Sequence, residues 1–402
     1  MKPVQHYEQG QLLLELDQFD QALESFDCAI TAEPDNALSH YYRGRCLSRL
    51  GRLDEALASY DHAIELEPAL ADGYFRKSTI KLARGEFEEG WKLYEWRWKA
   101  QKQDGSFQCN RPLWLGNESI ANKTIIILVE QGLGDVIQFC RYVPMVEALG
   151  AKVIFGLPAE LVEIISGLKG NFEIITDDEN VPEFDCYCPV MSLPLAFNTT
   201  LATIPRDIPY LVCDSGKAAC WKSLLGTKAR LRVGLVWSGG VRPDQPEVCA
   251  MNKRRNVPLS MFACFKHLDI EFYSLQKGQP AESELAELMT TAWDGPVILD
   301  YTSQLNDVSD TAALIENLDL VISVDTAVAH LAGALGKKVW ILNRFDNCWR
   351  WLRDRSDSPW YPTATLYRQP AAGDWASVMA EVAGKLTELQ LAFRRGCIAA
   401  TP

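Results

Sequence analysis

The chain has 402 residues, 48 % of them hydrophobic and 23 % charged, which suits two or three packed domains and excludes an intrinsically disordered chain. A formal charge of −13, with 12 Lys and Arg against 18 Asp and Glu in residues 1–100, argues against nucleic acid and anionic lipid surfaces as partners. No apolar run approaches the roughly 18–20 residues of a transmembrane helix, and the start Met1-Lys2-Pro3-Val4-Gln5-His6 lacks the apolar core of a signal peptide, so a cytoplasmic location is expected.

The first hundred residues repeat with a period of 34. That shift superimposes Gly10 on Gly44 and Ser78, Phe19 on Leu53 and Phe87, and Ala22 on Ala56 and Gly90. It also matches Phe26 to Tyr60 and Tyr94, Ala29 to Ala63, and Pro34 to Pro68. Small residues stand where two helices touch, large ones fill the space between layers, and proline ends the second helix. The pattern resembles the tetratricopeptide repeat (TPR) family over residues 1–100, three repeats in all. The resemblance implies a protein or peptide bound on the TPR surface, with a scaffold or oligomerisation handle as the alternative. The third repeat departs from it: a helix is expected over 89–98, Lys102 stands where proline is expected, and Trp91, Trp96 and Trp98 crowd eight residues. Tryptophans this dense are expected to pack onto the following domain as a rigid junction.

After a polar connector at 101–122, apolar strand-like runs alternate with helical stretches. Strands are predicted at Thr124–Val129, Lys152–Gly156 and Phe172–Thr176, then, past a proline-rich stretch near 189–209, at Leu231–Trp237, Glu271–Leu275, Val297–Asp300, Asp319–Ser323 and Lys338–Leu342. Continuous apolar strands separated by helices imply parallel sheets covered on both faces. A break around 205–228 divides them into two Rossmann-like, doubly wound domains, 123–225 and 226–385, followed by a tail at 386–402. Ligands of such domains bind beyond the carboxyl ends of the strands. The 12 cysteines show no zinc spacing and read as reduced core thiols.

Each set of strands opens on a small-residue turn. The first runs into Glu130-Gln131-Gly132-Leu133-Gly134-Asp135; the third glycine of a dinucleotide fingerprint falls on Ile137, so that reading fails. Asp135 is either a helix cap or a carboxylate aimed into the cleft. In the second set, Gly234-Leu235-Val236-Trp237-Ser238-Gly239 leads to a loop with Lys253-Arg254-Arg255, a solvated turn or a diphosphate clamp. Further on stand Gln276-Lys277-Gly278 and Asp325-Thr326-Ala327-Val328-Ala329-His330. The second is a strand-to-helix turn whose N–H groups favour a phosphate, and His330 is either a core residue or a ligand contact. Trp349-Arg350-Trp351 and Trp360-Tyr361-Pro362 suit stacking on a base or sugar, or fixing a C-terminal helix across both domains.

Together these motifs, with Gly373-Asp374-Trp375, resemble the ADP-heptose:lipopolysaccharide heptosyltransferases of glycosyltransferase family 9, especially TPR-fused bacterial members with similarity to protein O-GlcNAc transferases. The resemblance implies an α + α/β chain, all-α TPR repeats followed by a GT-B fold, with 123–225 as acceptor domain and 226–385 as nucleotide-sugar donor domain. It implies a catalytic pair, Asp135 as base and His330 at the donor diphosphate. Donor contacts are expected from Trp237, Ser238, Arg255, Gln276, Lys277, Asp325, Thr326, Ala327, Arg350 and Trp351, and an acceptor-side loop from Gln131, Gly132 and Gly134. Arg255 stands where heptosyltransferases tend to have Lys, and Ala327 where most have Gly, which puts heptose itself in doubt as the sugar. The expected reaction is a metal-independent, inverting transfer from a nucleotide-diphosphate sugar to a protein or glycan hydroxyl, with no cofactor beyond that co-substrate. Rival readings are an epimerase or hydrolase in the same cleft, and a non-enzymatic TPR adaptor carrying a degenerate transferase domain.

Overall fold

The computed structural model describes residues 3–100, 110–176, 180–241, 243–290 and 293–396. Its first six helices are α1 (Pro3–Glu15), α2 (Phe19–Ala32), α3 (Ala37–Arg49), α4 (Leu53–Leu66), α5 (Ala71–Ala83) and α6 (Phe87–Tyr94). The odd helices start at 3, 37 and 71 and the even ones at 19, 53 and 87, so the 34-residue step is kept. In the first two pairs a glycine of the first helix lies under an aromatic of the second. A Cβ on Gly10 would stand 2.7 Å from Cζ of Phe26, and one on Gly44 2.6 Å from Cε1 of Tyr60. Both approaches are closer than any side chain tolerates, so the spacing of small and large residues sets the distance between helices. Asn36 caps α3, its Oδ1 accepting from Ser39 N–H at 3.0 Å.

The third pair is cut short. α6 has 8 residues where α2 and α4 have 14, and the helix expected over 89–98 breaks at Glu95–Trp96 before a last turn, α7 (Arg97–Ala100). Lys102 lies outside the described residues. Residues 194–203 and 345–354, read from the sequence as parts of the two later domains, form one compact unit with residues 1–110. Trp91 holds them there: its Nε1–H donates to the Thr199 carbonyl at 3.1 Å, and its ring meets that of Trp349 edge-on at 5.3 Å. Arg49 pairs with Asp346. Of the three crowded tryptophans, Trp91 alone takes this part; Trp96 stacks on Tyr74 at 4.0 Å, and the Trp98 ring lies 4.7 Å from the Arg97 guanidinium.

The second unit comprises 111–193, 204–344 and 355–402 and holds two parallel sheets. In the first, β1 (Thr124–Leu128), β2 (Lys152–Gly156), β3 (Phe172–Ile175) and β4 (Cys186–Pro189) are ordered β3-β2-β1-β4. In the second, β5 (Leu231–Val236), β6 (Ile270–Ser274), β7 (Ile298–Leu299), β8 (Leu320–Val324), β9 (Val339–Asn343) and β10 (Ala364–Arg368) are ordered β10-β9-β8-β5-β6-β7. Every residue of β5, β8 and β9 is buried, as expected of strands covered on both faces. Strand order reverses at β1 and at β5, so the crevice of a doubly wound sheet opens at the loops that follow them.

The sequence missed β4, hidden between the cysteine pair and prolines, and β10. Lys253, Arg254 and Arg255 form the last turn of a helix, Pro246–Arg255, rather than a loop. The tail expected from 386 is in fact helix as far as Arg394, within Trp375–Arg394, and buries Leu386. Among the described residues the cysteines carry free thiols, and no helix is long and apolar enough to cross a membrane.

Lys217 gathers Glu163 at 2.8 Å, Asp307 at 3.1 Å and Asp310 at 3.3 Å, joining three helices. Burial works against the Asp307 carboxylate, but the Asp310 N–H and the Lys217 ammonium outweigh it and hold its pKa below the ordinary 3.8. Burial likewise opposes the Lys217 ammonium, and its carboxylate partners raise it above 10.5. The cluster therefore stabilises fully between those two ordinary values and fades as pH falls below the first or rises above the second. Lys217→Met is expected to lower the urea midpoint at pH 7, and the difference from the wild type is expected to shrink as pH falls below 3.8. Gly44→Ala is expected to cost the helical unit about 1–3 kcal/mol in urea denaturation, because Tyr60 has to move.

Candidate functional site

β1 delivers the chain to Gln131, which takes a left-handed turn at φ 65°, and into α8 (Leu133–Phe139). Gly132 N–H donates to the Asp135 carboxylate at 2.9 Å. Asp135 therefore caps its own helix, and the same bond orients its carboxylate. Gly134 is the point of closest approach to the helix Ala327–Ala334. A Cβ there would lie 2.9 Å from Cδ2 of His330 and 3.2 Å from Cα of Ala327. Only glycine lets the first turns of these two helices meet.

β5 ends in Trp237 and Ser238, both buried. Their N–H groups share Oε1 of Gln276, at 3.1 and 2.9 Å, and the Gln276 Nε2 donates back to the Ser238 carbonyl at 3.1 Å. The amide of Gln276, read as a donor contact, is thus committed to splinting the loops after β5 and β6. The Trp237 indole N–H is held by Glu284 at 3.2 Å. Lys277 is exposed and donates to the Thr302 carbonyl at 2.7 Å.

Of the three cations, Lys253 is exposed and Arg255 is the one turned onto the β5 loop. Its guanidinium lies on Gly239, where a Cβ would stand 1.7 Å from Nη2. It donates to Asn252 Oδ1 and, at 2.7 Å, to the backbone carbonyl of Asp325. Asn256 holds the Gly239 N–H at 2.9 Å, and Asn252 holds the Gly240 carbonyl at 2.8 Å. The two asparagines were not singled out in the sequence; their place beside an arginine at a helix end was the only signal.

β8 ends at Val324, and Asp325 and Thr326 make the turn into the helix Ala327–Ala334. Thr326 Oγ1 lies 3.0 Å from Ser323 Oγ, which leaves the side chain off the helix's own N–H groups. His330 is buried, its Nε2 3.9 Å from Asp325 Oδ1 and its Nδ1 3.0 Å from the Tyr361 hydroxyl. Behind it lies Arg141, also missed from sequence. It is 5 % exposed and donates to the carbonyls of Gln138, Pro205 and Trp360 and to the Tyr210 hydroxyl. Burial pushes the Tyr361 phenol up to about 12, so it carries its proton at any ordinary pH.

The structure thus draws Gly134, Asp135, Arg255, Asp325, Thr326, Ala327 and His330 around the ends of β1, β5 and β8. Arg350 and Trp351 belong to the helical unit instead. There Trp351 is fully buried, and the Arg350 guanidinium lies 4.3 Å from the Trp349 ring.

Residues 7–71 match the tetratricopeptide repeat family, and residues 278–342 match glycosyltransferase family 9 (heptosyltransferase). The chain is 29 % identical over 340 residues to protein FlbA of Caulobacter vibrioides, a match covering 78 % of this chain and 54 % of that protein, so it spans about half the length of this curated relative. The glycosyl transferase family 9 structure from Veillonella parvula superposes with a TM-score of 0.49 at 11 % identity, covering 68 % of this chain and 99 % of that one. The TPR2B domain of yeast Sti1, in a complex with pHsp70, superposes with a TM-score of 0.25 at 24 % identity, over 26 % of this chain and 86 % of that one. Stretches of the chain are thus similar to tetratricopeptide repeats and to glycosyltransferase family 9, and most of its length is similar to protein FlbA.

Proposed function

We propose that the chain is a metal-independent glycosyltransferase that moves a sugar, with inversion, from a nucleotide-diphosphate donor to a hydroxyl of a protein or glycan. The observation that carries this reading is the convergence at Gly134: the turn bearing Asp135 meets the N-terminal turn of Ala327–Ala334, where Arg255 already holds the Asp325 carbonyl. A helix N-terminus beside a guanidinium favours a diphosphate. A carboxylate on the turn that meets it suits a base for the attacking hydroxyl.

In this mechanism the acceptor oxygen forms a bond to the anomeric carbon while its proton passes to Asp135. The bond from that carbon to the diphosphate oxygen breaks, and the electron pair leaves with the nucleoside diphosphate. Arg255 and the N–H groups at Thr326–Ala327 receive the developing negative charge, a task that otherwise falls to a metal. Lys277, at the carboxyl end of β6, is the further cation on the donor side. The TPR surface takes a protein or peptide, which makes a protein hydroxyl the first acceptor to try. The adaptor reading explains the capping bond of Asp135 equally well, but leaves the Arg255 seat on Gly239 without a purpose.

Thermal-shift measurements with UDP, ADP, GDP and CDP, with and without EDTA, separate the two. Stabilisation by one nucleotide that survives EDTA is expected; no shift with any of them would favour the adaptor. Asp135→Ala is expected to lower kcat at least about 100-fold while leaving nucleotide affinity within a few fold, since it removes a base and not a donor contact. Gly239→Ala displaces the Arg255 guanidinium and is expected to weaken nucleotide binding about tenfold or more, measured by calorimetry.

A further inference from the structure

His330 is held at Cδ2 and at Nδ1. Its Cδ2 faces Gly134, its Nδ1 faces the Tyr361 hydroxyl, and the Tyr361 ring is pressed on Gly333, where a Cβ would lie 2.4 Å from Cδ1. Arg141 fixes Tyr361 in turn, donating to the carbonyl of the preceding Trp360 at 2.8 Å and facing the Tyr361 ring at 4.8 Å. Three chain segments, far apart in sequence, thus determine one imidazole plane. That is more than a core histidine needs.

We propose that Tyr361 is the positioning residue for His330: its O–H donates to Nδ1, which places the ring proton on Nε2, so that His330 gives a hydrogen bond to an oxygen of the bound diphosphate. This rests on the reading of the site as one for a nucleotide-diphosphate sugar. The phenol is neutral and has one proton to give. Nε2 lies on the side of Asp325, whose carboxylate 3.9 Å away favours an N–H there over a second lone pair. The nitrogen that meets the other acceptor-rich partner, the diphosphate, is thereby a donor before the ligand arrives. The tautomer of a histidine follows the bond made by its other nitrogen, and here that bond comes from a residue 31 positions away.

The test is long-range 1H–15N correlation on the full chain labelled at histidine, which has 5 such residues, with His330→Gln used to assign the signal. In the wild type, His330 is expected to show an unprotonated Nδ1 and a protonated Nε2. Tyr361→Phe is expected to redistribute the tautomer and to weaken binding of the nucleotide found by thermal shift about tenfold. Tyr273→Phe removes another buried phenol, one that donates to Glu271 at 2.8 Å, and is expected to lower stability without moving either readout. A wild-type ring protonated on Nδ1 alone overturns the proposal, as does a Tyr361→Phe protein with unchanged tautomer and affinity. If no nucleoside diphosphate binds the wild type, the reading of the site fails instead. The ligand-free tautomer then still decides the role of Tyr361.

Discussion

The Arg141 guanidinium is the interaction on which the α/β unit turns. A buried cation is costly unless its donors are met, and here they are met by backbone carbonyls and a phenol supplied from α8, from 205–210 and from Trp360. Satisfying the arginine therefore requires three segments to arrive together. Tyr210 then donates its O–H to the Ile137 carbonyl at 2.8 Å, and the N–H groups of Tyr210 and Leu211 close on the carbonyl of Ala334. The helix Ala327–Ala334 is consequently gripped at its far end by the 210–211 turn and at its near end by Gly134. The meeting of α8 with this helix is thus braced from the side of Arg141.

The sheets supply the coarser constraint. Because β1 lies between β2 and β4, and β5 between β8 and β6, the chain leaves each sheet's centre in opposite directions and opens a gap at the strands' carboxyl ends. The loops after β1, β5 and β8 fill it. Gln276 shows how tightly they are set, since one amide substitutes for a rung of backbone pairing between Trp237–Ser238 and the end of β6.

Local signals were legible in the sequence, and distant pairings were not. The 34-residue step was legible because the first two repeats solve the same problem, a glycine beneath an aromatic, and the helix starts of the third keep the step. The buried strands read plainly because both faces are apolar. β4 did not, since Cys186-x-Cys188 and the prolines around it carry no strand pattern of their own and pair only because β1 lies alongside. The turns bearing Asp135 and Asp325 were visible as glycine and small-residue punctuation. The role of Gln276 was not, because an amide that reads a ligand and one that splints a loop have the same sequence. The segment bearing Arg350 and Trp351 was ambiguous for a similar reason: aromatic and guanidinium groups suit a nucleotide base and also suit a helical unit, which this segment joins through the rings of Trp349, Trp91 and Tyr94.

Asp135 admits a different resolution, because its two readings do not compete. A carboxylate offers two oxygens and about four lone-pair directions, and the bond from Gly132 N–H engages Oδ2. Capping fixes the plane of the group at the first turn of α8. A base has to be oriented before its substrate arrives, and orientation is what a cap confers. A helix cap becomes a candidate base when the chain brings a second helix N-terminus up to it; here Gly134 does so by admitting the turn at Ala327.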